Sequence, residues 1–203
     1  MTTIEVFADI ACPFTHVGLR RFVQRREELD RPDVTLLVRA WPLEVVNGRP
    51  LDPDATADKV ASLRDQVAPD LFAGFDPRTF PSTTLPALAL AHAAYVVDAA
   101  TGERVSLALR DLLFEQGADV TDRAVLQALA DEHGVGFDPS DHAAVLADHA
   151  EGADRGVVGS PHFFTASGGF FCPSLDIGHD ADGRLQIAVD ADRLDEFLAA
   201  CFA

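Results

Sequence analysis

The chain has 203 residues, 48% of them hydrophobic, which is enough to bury the core of one domain or of one domain with a large insertion. Its 33 acidic and 16 basic residues give a net charge of −17, which argues against nucleic acid and anionic membrane surfaces as partners. The N-terminal residues show no signal-peptide pattern, and the longest apolar stretch, 85–97, is too short to span a bilayer. We therefore expect a cytoplasmic protein that binds neither nucleic acid nor membrane.

The first forty residues predict a strand, a helix and a second strand. Residues 4–7 alternate apolar and polar, as a half-buried strand does, and a helix from Pro13 to about Leu29 follows with apolar residues at helical spacing. The apolar run 34–38 suits a strand covered on both faces. This order predicts a βαβ unit with parallel strands and a right-handed crossover.

Cys12 stands where the first predicted strand turns into the helix, and Pro13 suits the first helical position. A thiol there faces unpaired backbone N–H groups and the positive end of the helix dipole, and both favour the thiolate. A free cysteine is often only a small buried hydrophobe. The position of Cys12 nevertheless favours a reactive cysteine.

Residues 46–155 predict an all-helical block, with helices near 55–72, 83–100, 103–116, 122–133 and 140–153. Strands return as a hairpin of residues 162–165 and 169–172, and Leu185, Ile187 and Val189 alternate in one more short strand. A helix from about Ala191 to Phe202 ends the chain. The predicted fold is α/β: a sheet domain of residues 1–45 and 156–203, in the order βαβ…ββα, carrying an inserted helical cap of residues 46–155.

Two motifs at opposite ends of the chain carry a family resemblance: Cys12-Pro13-Phe14-Thr15 opens the first helix, and Gly159-Ser160-Pro161 opens the hairpin. Together they resemble the DsbA-like branch of the thioredoxin superfamily, nearest the cytosolic members grouped with kappa-class glutathione transferases and hydroxychromene-carboxylate isomerases. Segments 41–44 and 114–122 extend the similarity over nearly the whole chain.

The resemblance implies a thioredoxin-like sheet domain and a cis peptide between Ser160 and Pro161, placed against the Cys12 helix. It also implies that the Ser160 backbone pairs with an extended thiol peptide such as glutathione. A cis X-Pro bond suits a tight turn, and the backbone edge it exposes can bind a peptide as an added strand.

Three positions of the motif depart from the family's pattern. Disulfide oxidoreductases of the family carry a second cysteine where Thr15 stands, so no disulfide closes within this motif. The transferases and isomerases carry a serine where Cys12 stands and use it to orient the glutathione sulfur. His16 replaces the usual aromatic residue.

Several neighbours of Cys12 have two interpretations each. Thr15 either donates its hydroxyl to the Cys12 thiolate or caps the helix. His16, four residues after Cys12, either lowers the thiol pKa when protonated or packs in the core. Asp9 either receives the thiol proton or shapes the turn.

The leading hypothesis is a thiol–disulfide oxidoreductase of DsbA-like type with Cys12 and Thr15 as its catalytic residues. Cys12 would form a mixed disulfide with a thiol or disulfide substrate, and a low-molecular-weight thiol such as glutathione would resolve it as co-substrate, with no tightly bound cofactor. Residues expected to contact substrate are Pro13, Phe14, His16, Trp41, Ser160 and Pro161. The alternatives are a glutathione-dependent transferase or isomerase, in which Cys12 or Thr15 activates a bound thiol, and a thioredoxin-like module that binds a partner without catalysis.

The remaining cysteines and histidines are interpreted as structural. Cys12, His16, Cys172 and His179 match no zinc-ligand spacing, and residues 180–183 lack the later ligands of a calcium loop, so no metal site is expected. Cys172 is interpreted as structural, with a resolving cysteine as the alternative, and Cys201 as a packing residue. The apolar helices of the insertion are candidates for a homodimer interface.

Overall fold

A computed structural model describes residues 2–202. The chain begins with β1 (Thr2–Ala8), α1 (Pro13–Glu28) and β2 (Val34–Ala40). The strands β1 and β2 are parallel, with Thr2 opposite Val34 and Ala8 opposite Ala40, which confirms the predicted βαβ unit. Alternate residues of β2 are buried and those between are half-buried, because successive side chains point to opposite faces of the sheet and one face is covered less completely than the other. The expectation of full cover on both faces of β2 is therefore wrong.

Helices occupy most of the chain between β2 and the next strand. They are α2 (Leu43–Asn47), α3 (Pro53–Gln66), α4 (Leu85–Val97), α5 (Ala99–Phe114), α6 (Arg123–His133) and α7 (Ala143–Asp154), with a 3₁₀ turn at Pro77–Thr79. The prediction placed the end of α4 and the start of α5 too late. Asp98 both ends α4 and caps α5, accepting the backbone N–H of Thr101, so one residue separates the two helices.

The sheet is completed by β3 (His162–Thr165) and β4 (Gly168–Phe171), which form the expected hairpin, and its order is β2-β1-β3-β4. The strand β3 is antiparallel to both β1 and β4. A separate hairpin of β5 (Leu175–His179) and β6 (Leu185–Val189) precedes α8 (Ala191–Phe202). Only β6 and α8 of these last three elements were predicted. The fold is the thioredoxin-like α/β class with a helical insertion.

Buried polar side chains on the helices fasten them to the sheet and to the loop after β1. The Tyr95 hydroxyl of α4 accepts the Val38 N–H and donates to the Leu36 carbonyl, both in β2. Arg110 of α5 is 1% exposed, and its guanidinium donates to the carbonyl of Asp9 at 3.2 Å. The helices between β2 and β3 thus hold both an edge strand and the loop that leads to Cys12. Within residues 2–202, every helix is too short or too polar to cross a bilayer.

Candidate active site

The Asp9 carboxylate holds the loop between β1 and α1 in shape. Asp9 is 1% exposed, and its two oxygens accept the backbone N–H groups of Ala11 at 2.8 Å and Leu43 at 2.5 Å. Burial raises the pKa of this carboxyl, although those two N–H bonds act in the opposite direction. Of the two interpretations of Asp9, these bonds support the one in which it shapes the turn.

Cys12 immediately precedes the first residue of α1 and lies against the Ser160–Pro161 loop. Its thiol donates to the carbonyl oxygen of Ser160, with Sγ 3.1 Å from that oxygen. The Ser160–Pro161 peptide bond is cis, and the Pro161 ring lies over α1, where a Cβ added to Gly18 would be 3.6 Å from it. The fold therefore brings together two motifs that lie 148 residues apart in the sequence.

The surroundings of Cys12 in this conformation favour the protonated thiol. The residue is 4% exposed, and burial raises the pKa of the thiol. The N–H and hydroxyl of Thr15 and the hydroxyl of Ser160 lower that pKa, but the loss of solvation outweighs them. The Ser160 carbonyl favours the thiol further, because it accepts a hydrogen that a thiolate does not carry. That the start of α1 favours the thiolate of Cys12 stays a prediction, and burial acts against it.

Two buried hydroxyls face the sulfur. Thr15 Oγ1 and Ser160 Oγ are 2.7 Å apart, and Ser160 Oγ also accepts the N–H of Asp9 at 2.9 Å. If Ser160 donates to Thr15, the Thr15 hydroxyl hydrogen remains for the Cys12 sulfur, and every hydroxyl hydrogen is used. The Thr15 side chain thus bonds to Ser160 of the cis-proline loop and faces Cys12.

His16 is packed in the core, against aromatic rings of the helical segment. It is 1% exposed and lies between the rings of Phe72 and Phe114, at centroid distances of 5.3 and 5.0 Å. Its Nε2 is 2.6 Å from Glu115 Oε1. Partial burial opposes the shift, but the bonds from His16 and from the backbone N–H groups of Phe72 and Ala73 lower the pKa of Glu115 to about 2. Sequence reasoning did not single out Glu115 as a partner of His16.

The other residues expected to contact substrate differ in how far they are exposed. Pro13 is buried at the start of α1, and Phe14 is half-buried against the helical core. Trp41 is 4% exposed, stacked on His149 with ring centroids 4.8 Å apart and edge-on to Phe7. It therefore offers a substrate almost no surface in this conformation.

Two apolar side chains beside the Ser160–Pro161 loop are exposed, and sequence reasoning did not single them out. Val158 is 70% exposed and Phe171 is 42% exposed. The Phe171 ring covers Gly159, where an added Cβ would come within 2.5 Å of it. We call Val158 and Phe171 the loop-side patch.

The other two cysteines occupy different environments. The backbone N–H of Cys172 donates to the carbonyl of Pro161 at 3.0 Å, so Cys172 lies at the same loop as Cys12. Cys201 is 1% exposed in the core between α1 and α8. Across residues 2–202, no three His, Cys, Asp or Glu side chains gather closely enough to hold a metal ion.

A four-stranded sheet with a cysteine at the start of α1 facing a cis-proline loop defines a thioredoxin-fold protein. The chain belongs to the DSBA-like thioredoxin domain family, whose sequence model matches residues 3–201. No functionally curated protein is significantly similar to it in sequence.

Solved structures share the fold at low sequence identity. The cytosolic disulfide reductase DsbM from Pseudomonas aeruginosa is 17% identical with a TM-score of 0.62, covering 97% of this chain and 95% of that one. The probable DsbA oxidoreductase SCO1869 from Streptomyces coelicolor is 24% identical with a TM-score of 0.62, covering 80% of each chain. A 2-hydroxychromene-2-carboxylate isomerase is 13% identical with a TM-score of 0.60, covering 83% of this chain and 88% of that one.

Proposed function

We propose that the protein is a thiol–disulfide oxidoreductase in which Cys12 is the nucleophile. The observation that carries the proposal is the 3.1 Å contact between Cys12 Sγ and the Ser160 carbonyl oxygen at the start of α1. It sets a thiol against backbone groups with which an extended substrate can pair, beside the exposed loop-side patch. Membership of the DSBA-like family supports this reaction class.

Substrate binding activates Cys12 in this proposal. A substrate N–H that pairs with the Ser160 carbonyl competes with the Cys12 thiol for the same oxygen. Once it loses that acceptor, the sulfur still faces the Thr15 N–H and the hydroxyls of Thr15 and Ser160, all of which favour the thiolate. The free protein thus keeps its nucleophile protonated, and the bound substrate releases it.

The thiolate then attacks one sulfur of a substrate disulfide. The bond from Cys12 to that sulfur forms, the substrate S–S bond breaks, and the second substrate sulfur leaves as a thiolate that takes up the proton Cys12 gave off. A low-molecular-weight thiol, with glutathione as the first candidate, returns Cys12 to the reduced state as co-substrate. The related DsbM has also been solved with GSH, at 15% identity and a TM-score of 0.64, and it is described as cytosolic, the compartment we propose here.

The test compares Cys12→Ser with Cys201→Ala, a matched control that removes another buried thiol. The assay follows reduction of a peptide–glutathione mixed disulfide with glutathione and glutathione reductase. We expect Cys12→Ser to lose about 100-fold or more in rate, because the nucleophile is gone, and Cys201→Ala to stay near wild type. Wild-type turnover in Cys12→Ser would refute the proposal.

One observation favours a second function, that of a glutathione-dependent transferase or isomerase. The Thr15 and Ser160 hydroxyls, 2.7 Å apart, use one hydrogen in their mutual bond and leave the other placed to donate to the sulfur of a bound glutathione. In that reaction Cys12 does not enter the covalent chemistry, so Cys12→Ser would keep its turnover of an electrophile. The same variant therefore separates the two functions.

A further inference from the structure

Cys172 has no role in the steps above, yet it contacts the same Ser160–Pro161 loop as Cys12. The Cys12 thiol bonds to the carbonyl of Ser160 at 3.1 Å, and the Cys172 N–H bonds to the carbonyl of Pro161 at 3.0 Å. The two cysteines therefore contact consecutive residues of one loop. Cys12 precedes that loop in the sequence, and Cys172 follows it.

The sheet register explains this proximity. Phe7 of β1 pairs with His162 of β3, and His162 pairs with Phe171 of β4, so the three residues form one row across the sheet. Cys12 lies five residues beyond Phe7 and Cys172 one residue beyond Phe171. Both cysteines consequently lie at the same end of the sheet.

The charges around Cys172 suit a thiol that reacts second. Burial and the negative charge of an ionised Cys12 raise the pKa of Cys172 to about 12, and the charge of Arg193 acts against them. Arg193 is held there by a bond from its guanidinium to the Phe171 carbonyl at 2.5 Å. A Cys12 in a mixed disulfide carries no negative charge that would oppose ionisation of Cys172, so burial alone acts against the charge of Arg193.

We propose that Cys172 is the resolving cysteine of this protein, in the role that no cysteine fills at position 15. Its thiolate attacks the Cys12 sulfur of the mixed disulfide, the Cys12–Cys172 bond forms, and the substrate leaves as a thiolate that takes up the proton Cys172 gave off. The two cysteines are oxidised and the substrate disulfide is reduced, so no other oxidant is needed. Two molecules of glutathione then reduce the Cys12–Cys172 bond and become glutathione disulfide.

A Cys12–Cys172 disulfide requires the two Cα atoms to lie roughly 4.4–6.8 Å apart. The strand β4 is an edge strand that pairs only with β3, and Cys172 directly follows its last residue. In the sheet the segment is therefore paired on one side only, while Cys172 itself is 4% exposed in the core and bonds through its N–H to Pro161.

The experiment treats the reduced full-length protein with glutathione disulfide, traps free thiols with iodoacetamide, and maps the products by mass spectrometry. We expect wild type and Cys201→Ala to yield a Cys12–Cys172 disulfide with little adduct. Cys172→Ala and Cys172→Ser should accumulate the Cys12–glutathione adduct about tenfold above wild type, because the second thiol is missing.

The inference rests on the proposed function, and the products distinguish the two failures. If wild type holds the Cys12–glutathione adduct to the same level as both Cys172 variants and forms no Cys12–Cys172 disulfide, the resolving role is refuted while the nucleophile stands. If Cys12 forms neither product in any variant, the proposed function itself is refuted, and the resolving role with it. Circular dichroism of the Cys172 variants shows whether they keep the native fold.

Discussion

Replacement of Glu115 by Gln tests the bond that holds the start of α1 against the helices. Glu115 accepts from His16 at 2.6 Å and from the N–H groups of Phe72 at 2.8 Å and Ala73 at 3.0 Å. These bonds lower its pKa from 4.5 to about 2, which corresponds to about 3 kcal/mol at about 1.36 kcal/mol per unit. The side chain is 21% exposed, so solvent screening reduces the expected contribution to about 1–2 kcal/mol.

This contribution depends on pH in a defined direction. Between pH 4.5 and 2 the unfolded chain binds the Glu115 proton and the folded chain does not, so stability falls as the pH falls. The full contribution is present above about pH 4.5, roughly two-fifths of it remains at pH 3, and it is lost below about pH 2. Glu115→Gln keeps the shape of the side chain and removes the charge, so it should remove this dependence.

Urea unfolding at pH 7 and pH 3 measures the effect. We expect Glu115→Gln to be less stable than wild type by about 1–2 kcal/mol at pH 7, and by less than half of that at pH 3. Glu132→Gln, on the exposed face of α6, is the matched control and should be near neutral at both values. An equal loss at both pH values would refute the role given to the ionised carboxylate.

Three further predictions concern the thiol, the loop-side patch and the edge strand. The rate at which iodoacetamide modifies Cys12 in the free protein should still rise above pH 9, because burial raises the pKa of the thiol. Thr15→Val should slow that rate about tenfold at pH 8 through loss of one hydroxyl bond. A modification rate that is already constant at neutral pH would contradict both expectations. Gly159→Ala should push the Phe171 ring aside and raise KM for peptide disulfides more than it lowers kcat, and unchanged kinetics would show that the ring does not contact substrate. Tyr95→Phe should cost about 1–3 kcal/mol in thermal or urea unfolding, because it leaves two backbone groups of β2 unpaired, and a neutral result would mean that water replaces the hydroxyl.

Local pattern predicted the elements better than their surroundings. The alternation in residues 4–7 and the helical spacing after Pro13 predicted β1 and α1, and the structure confirms both. The strand β5 was missed because most of its residues are exposed, so no burial pattern marks it. The short α2 was missed for a related reason, since five residues are too few to show a helical period.

The chemical state of Cys12 required the tertiary structure. The helix N-terminus beside it is a local feature, visible in the sequence, and it favours the thiolate. The burial that outweighs it depends on the tertiary structure, and so does the bond to Ser160, whose carbonyl receives the thiol hydrogen from 148 residues away. The same limit applies to His16, because its partner Glu115 lies 99 residues away. The family resemblance placed Ser160–Pro161 against the Cys12 helix, but it carried no information about solvation.

The anchoring of the Asp9 loop has a consequence for protein engineering. The loop takes one hydrogen bond from Leu43 just after β2 and another from Arg110, deep in the helical segment. A miniature that joins residue 45 directly to residue 156 would keep Leu43 and the Ser160–Pro161 loop, but it would lose the Arg110 bond and the cation beneath the loop. Removal of the helices between β2 and β3 should therefore leave Cys12 poorly oriented, even where the shortened chain folds.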